Sequence, residues 1–321
     1  ILLLEPFSIF MALKCYNFVI FLATFFVYLK GFTKNKFNNS VSKLMMLTSY
    51  TLLAYQVRFF SNSIETVLVM LFISSLNNNS FFLLGLVFSV GIYNRITFVL
   101  WLIFPCIFKA YTIITKESLK KIVSHTLILA VSLTISFLAI TKSDSSIYFN
   151  NKKIALAPFE NWKYNRYSSN LKKHGIHCRF NHLLINTPVL LSPFLLIVMV
   201  LNFKSKVFIK NKLPLLSCLS GVFFLSLFPH QEARFLIPMI PLFYSSINYE
   251  VLKEIYVKPS SMLKNGVFKL LILSHIVFNL TIVLILGSWH KSVWLALSKK
   301  LFLLDSLNSN YVVCCNTLCH L

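Results

Sequence analysis

Only nine carboxylates occur in this chain of 321 residues, so each acidic side chain can be weighed individually. Glu117, Glu250 and Glu254 stand beside lysine-rich stretches, where solvation or local pairing accounts for them, and Glu5 and Asp305 lie near the ends. Of the remaining four (Glu65, Asp144, Glu160 and Glu232), Glu65 and Glu232 border apolar runs. An ionisable group at such a border is costly unless it pairs or faces water, which makes it a functional candidate. The densest polar cluster is Phe228-Pro229-His230-Gln231-Glu232-Ala233-Arg234-Phe235. Pro229 interrupts helical hydrogen bonding, and a helix starting just after it would offer free amides and a favourable dipole to an anion. Arg234 suits a phosphate bound through two hydrogen bonds, with Glu232 orienting the guanidinium. The alternative is that the two charges merely neutralise each other.

Two further stretches carry polar groups between apolar ones. Ser61-Asn62-Ser63-Ile64-Glu65 reads either as part of a site or as a helix start capped by Ser or Asn. Arg95 reads either as a headgroup ligand or as a snorkelling side chain. The segment from Tyr164 and Asn165 through Asn170 to His174 and His177 mixes aromatic, amide and imidazole groups, which suit a sugar or a lipid headgroup. His174 and His177 lack a third ligand, so no metal site is expected. Cys15, Cys106 and Cys218 lie in apolar runs and are expected to be buried. Cys314, Cys315 and Cys319 leave a disulfide open but do not have zinc spacing. With seven glycines there is no phosphate-cradling loop, so a nucleotide-sugar site of the Rossmann type is not expected.

The elements that must position these residues are membrane helices. Hydrophobic residues make up 57% of the chain and charged residues 12%, and the mean hydropathy is +0.73. Too little polar surface remains to coat a soluble globule, and disorder is excluded by the same numbers. Apolar runs fall at 7–29, 44–57, 64–76, 81–93, 96–115, 122–140, 183–201, 213–228, 235–252 and 267–287. The fold class is therefore all-α, a polytopic transmembrane bundle of about eight to ten spans at roughly 20 residues each. The spans within 44–93 are the shortest, and a broken pair lining a cavity is one way to place them.

The net charge of +22 does not indicate nucleic acid here. Lys30–Lys43, Lys109–Lys121, Lys204–Lys212 and Lys253–Lys269 are basic clusters between runs, and all four fall on one side if every run crosses. The positive-inside rule makes that side cytoplasmic. The polar candidates, including the long loop 141–182 and the segment after Ser288, then face the other side. The sequons at Asn38 and Asn78 are expected on the cytoplasmic side, and that at Asn279 within a span, so none should carry glycan. The chain opens on Ile1 with no basic leader or cleavage site, and it reads as a piece of a longer protein.

His230-Gln231-Glu232-Ala233-Arg234-Phe235 resembles the His-(Lys/Gln)-Glu-x-Arg-Phe signature of the GT-C, family 22 mannosyltransferases of the endoplasmic reticulum. Ser61–Glu65 resembles that family's Ser-Asn-(Ser/Thr)-(Ile/Leu)-Glu element. Asn94-Arg95-Ile96-Thr97-Phe98 resembles its Asn-Arg-Pro-Thr-Phe, with Ile96 in the place of Pro. Tyr164-Asn165, Asn170-Leu171, His174-Gly175, Asn181-His182-Leu183 with Asn186, Phe278-Asn279, and Gly287 with His290 resemble later elements, in order. Gln231 and the His174-Gly175 loop resemble the branch that adds a fourth mannose to glycosylphosphatidylinositol (GPI) precursors.

The resemblance implies a multi-pass enzyme of the endoplasmic reticulum membrane, with residues 1–290 forming an N-terminally incomplete GT-C-like domain and 291–321 beginning a luminal segment. It implies inverting transfer of mannose from dolichyl-phosphate-mannose to a GPI-precursor glycolipid, with an α1,2 linkage and no cofactor. Arg95, His230, Gln231, Glu232, Arg234, Asn62 and Glu65 are the implied donor-phosphate and substrate residues. Tyr164, Asn165, Asn170, His174 and His182 belong to the implied acceptor loop. The family's general base is an acidic residue in a His-Pro-Asp-Glu-like motif of the first luminal loop. This sequence has no such motif, and that loop is expected before Ile1. Alternatives are another family 22 mannosyltransferase acting on the third GPI mannose or on an N-glycan precursor, an inactive truncated relative, and a transporter, which also uses broken helices and intramembrane charge.

Overall fold

The computed structural model describes residues 6–33, 36–58, 60–150, 152–167, 175, 177–191, 211–250, 269–270 and 272–285. These residues are predominantly helical. The chain runs through α1 (Pro6–Phe32), α2 (Lys36–Leu47), a π-helical turn (Leu52–Gln56), α3 (Ser61–Asn77), α4 (Phe81–Asn94), a 3-10 turn (Ile96–Trp101), α5 (Ile103–Lys116), α6 (Leu119–Phe149) and α7 (Ala157–Arg166). It continues with α8 (His182–Leu191), which opens on a π turn, α9 (Lys212–Ser226), a 3-10 turn (Ala233–Leu236), α10 (Met239–Ser246) and α11 (Ile272–Ile285).

Among the described residues two helices are long and apolar enough to cross a membrane, Met11–Phe32 within α1 and the whole of α6. The 31 residues of α6 extend about 46 Å at the α-helical rise, more than a bilayer core requires. Its outer side chains are bare: Leu127 is 60% exposed and Leu138 63%. The other face of α6 packs on α4 through small residues. Ser132 donates to the Phe82 carbonyl, Ser136 donates to Ser89 Oγ at 2.8 Å, and a Cβ on Gly85 would lie 2.7 Å from Ser132 Oγ. Close approach through Gly and Ser is how helices associate in lipid, where apolar burial between helices brings little gain.

The core lies between α1, α3 and α10. Phe25, Tyr28, Val69, Met70, Ile73, Ile240 and Leu242 are completely buried there. Polar ties join these helices: Tyr28 and Ser245 share a 2.6 Å hydroxyl hydrogen bond, and Asn211 donates to the Phe32 carbonyl at 3.0 Å and to the Ser245 carbonyl at 2.7 Å.

Several expected spans prove shorter or interrupted. The run 44–57 is the end of α2, a break at Thr48-Ser49 and then the π turn. The run 96–115 is divided at Leu102 into the 3-10 turn and α5. Within 235–252 the helix Met239–Ser246 is interrupted at residues 247–248, which are not helical. The loop expected from residue 141 begins later, because α6 continues to Phe149 and stops at Asn150 in a left-handed conformation. Cys15, expected to be buried, is exposed on α1, whereas Cys218 is buried. Ser, Thr and Asn are what make the breaks tolerable. Ser217 and Ser220 of α9 donate to the Trp101 and Leu100 carbonyls freed by the 3-10 turn, the first at 2.8 Å. Asn17 of α1 donates to the carbonyls of Gln56 and Arg58 at 2.8 and 2.9 Å. Backbone groups left over inside a bundle need such partners.

The sequon asparagines Asn38 and Asn279 are buried, at 1% exposure each, and the Asn279 carboxamide caps the Tyr50 amide at 2.9 Å. The motif element Phe278-Asn279 therefore anchors α11 to the break before the π turn.

Gly221 of α9 lies against the buried Trp101 ring so closely that an added Cβ would be 2.1 Å from Cε3. Gly221→Ala should lower stability by about 1–3 kcal/mol through overpacking. The check is the apparent melting temperature in detergent, which should fall clearly below that of the parent protein.

Candidate active site

Three chain breaks meet at one end of the bundle, and each delivers charged or amide groups. The first is the start of α3. Phe60 is extended before Ser61, and no side chain caps the helix, so Ser61 and Asn62 are not capping residues. The second is the end of α4. Arg95 takes an extended conformation, φ −158° and ψ 131°, which is the region a following proline would favour. The bend thus forms with Ile96 in that position.

These two breaks assemble the first cluster. Arg95 Nε lies 3.2 Å from Glu65 Oε2, and Glu65 is 1% exposed. Thr97 Oγ1 donates to Glu65 Oε1 at 2.9 Å and accepts from Arg95 Nε at 3.2 Å. Arg95 Nη1 also donates to Ser61 Oγ at 3.0 Å and Asn62 Oδ1 at 3.4 Å. Asn94 donates to the Ser61 carbonyl at 3.0 Å, closing α4 onto α3. The guanidinium is held on every side by groups whose positions the backbone dictates.

The third break, after α9, builds the second cluster. Glu232 Oε1 accepts from His230 Nε2 at 2.8 Å and from Arg234 Nη2 at 3.1 Å, while its other oxygen pairs with Arg234 Nε. His230 Nδ1 faces the Gly175 carbonyl at 2.9 Å. Both ring nitrogens are thus engaged, one by a carboxylate and one by a backbone carbonyl. No long helix starts here: Ala233–Leu236 is one 3-10 turn and α10 begins at Met239, so the expected helix N-terminus is absent from this segment. The charge at this end is carried by side chains and not by a helix dipole.

Phe235 joins the two clusters. Arg95 lies over its ring at 5.0 Å, and the His230 ring meets it edge-on at 5.4 Å. Arg234 lies over Phe60 at 5.7 Å. All of this borders a cavity of about 840 Å³. Arg95, Thr97, His230, Glu232, Arg234 and Phe235 form one part of its lining, and Asn161, Trp162, Asn165 and Arg166 of α7 form another.

The expected site residues separate accordingly. Arg95, His230, Glu232 and Arg234 reach the cavity, with Glu65 and Asn62 buried behind Arg95. Gln231 does not reach it. It is 1% exposed, and its Nε2 is shared among the carbonyls of Ser226, Phe228 and Arg179 at 2.8–2.9 Å, while Oε1 accepts from the His182 amide at 2.8 Å. The Gln231 amide donates to His177 Nδ1 at 3.1 Å, and Asn181 and Asn186 donate to its carbonyl. Gln231 therefore fastens segment 177–186 to the second cluster instead of touching a ligand. His182, assigned to the acceptor loop, is likewise fully buried and serves this tether. Asn165 lines the cavity and Tyr164 does not. Asn170 and His174 lie outside the described residues. Of the other two carboxylates once grouped with these, Asp144 and Glu160, neither joins the cavity lining. Among the described residues no cluster of three His, Cys, Asp or Glu is placed to hold a metal ion. Thr97, Phe60, Phe235, Asn161, Trp162 and Arg166 were not singled out from sequence. Only Thr97 and Phe235 carried a signal, as neighbours of charged residues within the quoted elements.

Gln231→Ala leaves buried carbonyls without a donor, at about 1–3 kcal/mol for each unsatisfied group. Gln231→Glu cannot donate to them and adds a buried negative charge, so it should be at least as damaging. Limited proteolysis within segment 177–182 should accelerate in both variants, and the melting temperature should fall.

The model of the Alg9-like mannosyltransferase family matches residues 1–320. GPI mannosyltransferase 4 of Saccharomyces cerevisiae is 31% identical over 305 residues, covering 90% of this chain and 55% of the relative. The Candida glabrata protein of the same name is 36% identical over 252 residues, 74% of this chain and 49% of the relative. That of Yarrowia lipolytica is 40% identical over 213 residues, 61% and 39%. The chain spans about half the length of the curated relatives it matches. No solved structure gives a significant match. A family match running nearly from end to end places the chain in the Alg9-like mannosyltransferase family.

Proposed function

We propose that the complete protein is a mannosyltransferase of GPI biosynthesis, adding the α1,2-linked fourth mannose in the lumen of the endoplasmic reticulum. The donor is dolichyl-phosphate-mannose and the acceptor a GPI-precursor glycolipid. The observation that carries the reading is the set Arg95, His230 and Arg234, held by Glu65 and Glu232 at the edge of one cavity. Two guanidiniums and an imidazole, positioned by two carboxylates at the cavity edge, supply hydrogen-bond donors that suit a phosphodiester. The relatives named GPI mannosyltransferase 4 support the choice of acceptor.

In this reading the guanidiniums and His230 hold the phosphate of the donor. When an acceptor hydroxyl attacks the anomeric carbon, the bond to phosphate breaks and dolichyl phosphate leaves with the electron pair. The growing charge on the phosphate oxygens is met by donors already oriented, so little reorganisation is needed. The hydroxyl proton goes to an acidic general base, a role assigned to none of the residues named here.

The multi-pass topology of about ten spans belongs to the same proposal, with the basic clusters cytoplasmic and the cavity luminal. Lys152→Thr creates a sequon at Asn150, just past α6, and should be glycosylated in microsomes. The native sequon at Asn78 should not be. Glycan at Asn78, or none at Asn150, would reverse the topology.

The enzymatic test uses the full-length protein in cells lacking their own fourth-mannose enzyme. Restored addition of a fourth mannose to the GPI precursor is the expected result, and mannose on an N-glycan precursor alone would point to another branch. Arg234→Ala should cut transfer by about 10²-fold or more, as expected for truncating one partner of a hydrogen-bonded charge pair, with normal membrane insertion. Full transfer by that variant would remove Arg234 from the donor site.

A further inference from the structure

The cavity has two chemically different walls. The one described above is ionic. The other is helix α7, whose positions 161, 162, 165 and 166 share one face by helical spacing and all line the cavity. The α7 helix packs on α4 and on the 3-10 turn Ile96–Trp101, so it sits beside Arg95 without being part of the core. None of its residues is buried.

That face has the groups a saccharide needs. Trp162 is 47% exposed, an unusual state for the largest apolar side chain unless it faces a ligand or lipid. Arg166 lies over its ring at 5.5 Å, a contact that fixes the indole plane. Among the described residues Arg166 pairs with no carboxylate. Asn165 Nδ2 donates to the Asn161 backbone carbonyl at 2.9 Å and to the Asn161 side-chain oxygen. The Asn161 amide nitrogen and the Asn165 side-chain oxygen have no partner among the described residues, which leaves one donor and one acceptor adjacent on the helix. An apolar ring for the C–H face of a pyranose, neutral carboxamides for its hydroxyls and a guanidinium at the margin match an uncharged glycan far better than a phosphate. In the proposed function phosphate chemistry belongs to the ionic wall.

We infer that the α7 wall, through Asn161, Trp162, Asn165 and Arg166, is the binding surface for the mannose-bearing head of the acceptor glycolipid. The inference rests on the mannosyltransferase reading for the identity of its ligand. It assigns acceptor selection to four residues of one helix face, and it leaves out Tyr164 and His182.

Two measurements on the full-length protein test it. In steady-state transfer, Trp162→Ala and Arg166→Ala should each raise the KM for the glycolipid acceptor by about tenfold and leave that for dolichyl-phosphate-mannose within about twofold. Trp162→Phe, which keeps an aromatic face, should recover most of the loss. An unchanged acceptor KM, or a rise confined to the donor, overturns the proposal. In the second measurement, a synthetic trimannosyl glycolipid is titrated into the detergent-solubilised protein without donor. Binding that weakens about tenfold in Trp162→Ala, but not in Tyr164→Ala on the same helix, supports the site; equal binding by the parent protein and Trp162→Ala overturns it. The two readings fail separately. Glycan binding that depends on Trp162, with no mannose transfer by the parent protein, keeps the α7 site and removes the proposed activity. Transfer without dependence on Trp162 does the reverse.

Discussion

A buried carboxylate governs this end of the molecule. Glu65 sits in the first turns of α3, with 1% of its side chain exposed, and is satisfied by Arg95 and Thr97. A charge in that position without its partner would cost several kcal/mol. The demand for a partner requires α4 to end where it does, with Arg95 extended and turned back toward α3. It also brings Asn94 and Thr97 into reach of α3, and places the 3-10 turn whose carbonyls α9 then satisfies. The ion pair thus sets the spacing of three helices before any ligand arrives.

The same economy runs through the rest of the bundle. Helices stop inside the protein, and each stop exposes backbone groups that lipid cannot satisfy. Ser217, Ser220, Asn17, Asn211, Asn279 and Gln231 each supply a donor, an acceptor or both to a neighbouring break. Most of these residues are unremarkable in the sequence, yet they allow the polar ends of several elements to converge on one cavity. Gly221, Gly85 and Gly91 then permit approaches too close for any side chain.

The sequence made the helical class plain, because 57% hydrophobic content leaves few other structures for the backbone. The ionic clusters were legible in part: with nine carboxylates in the chain, Glu65 and Glu232 stood out at the edges of apolar runs, but only Glu232 has its arginine beside it in the sequence, and the pairing of Glu65 with Arg95 needs the fold. Helix breaks were harder to find. The run 96–115 is apolar throughout, and hydropathy has no term for the interruption at Leu102. Gln231 was misplaced for a related reason. A polar residue inside a charged motif reads as a ligand contact, and only the fold reveals that its amide is consumed by backbone carbonyls. The cavity face of α7 has a different cause. Tyr164 and Trp162 are equally plausible from composition, and the helical phase that separates them is fixed by packing on α4 and the 3-10 turn.

Phe235 has a consequence for how the site responds to change. Its ring carries the Arg95 guanidinium at one contact and the His230 imidazole at another. The two ionic clusters therefore share one aromatic quadrupole, and a displacement of either moves the surface on which the other rests. Energetically they form one unit. Perturbations of Arg95 and of His230 are then coupled, and their separate costs do not sum to the cost of both.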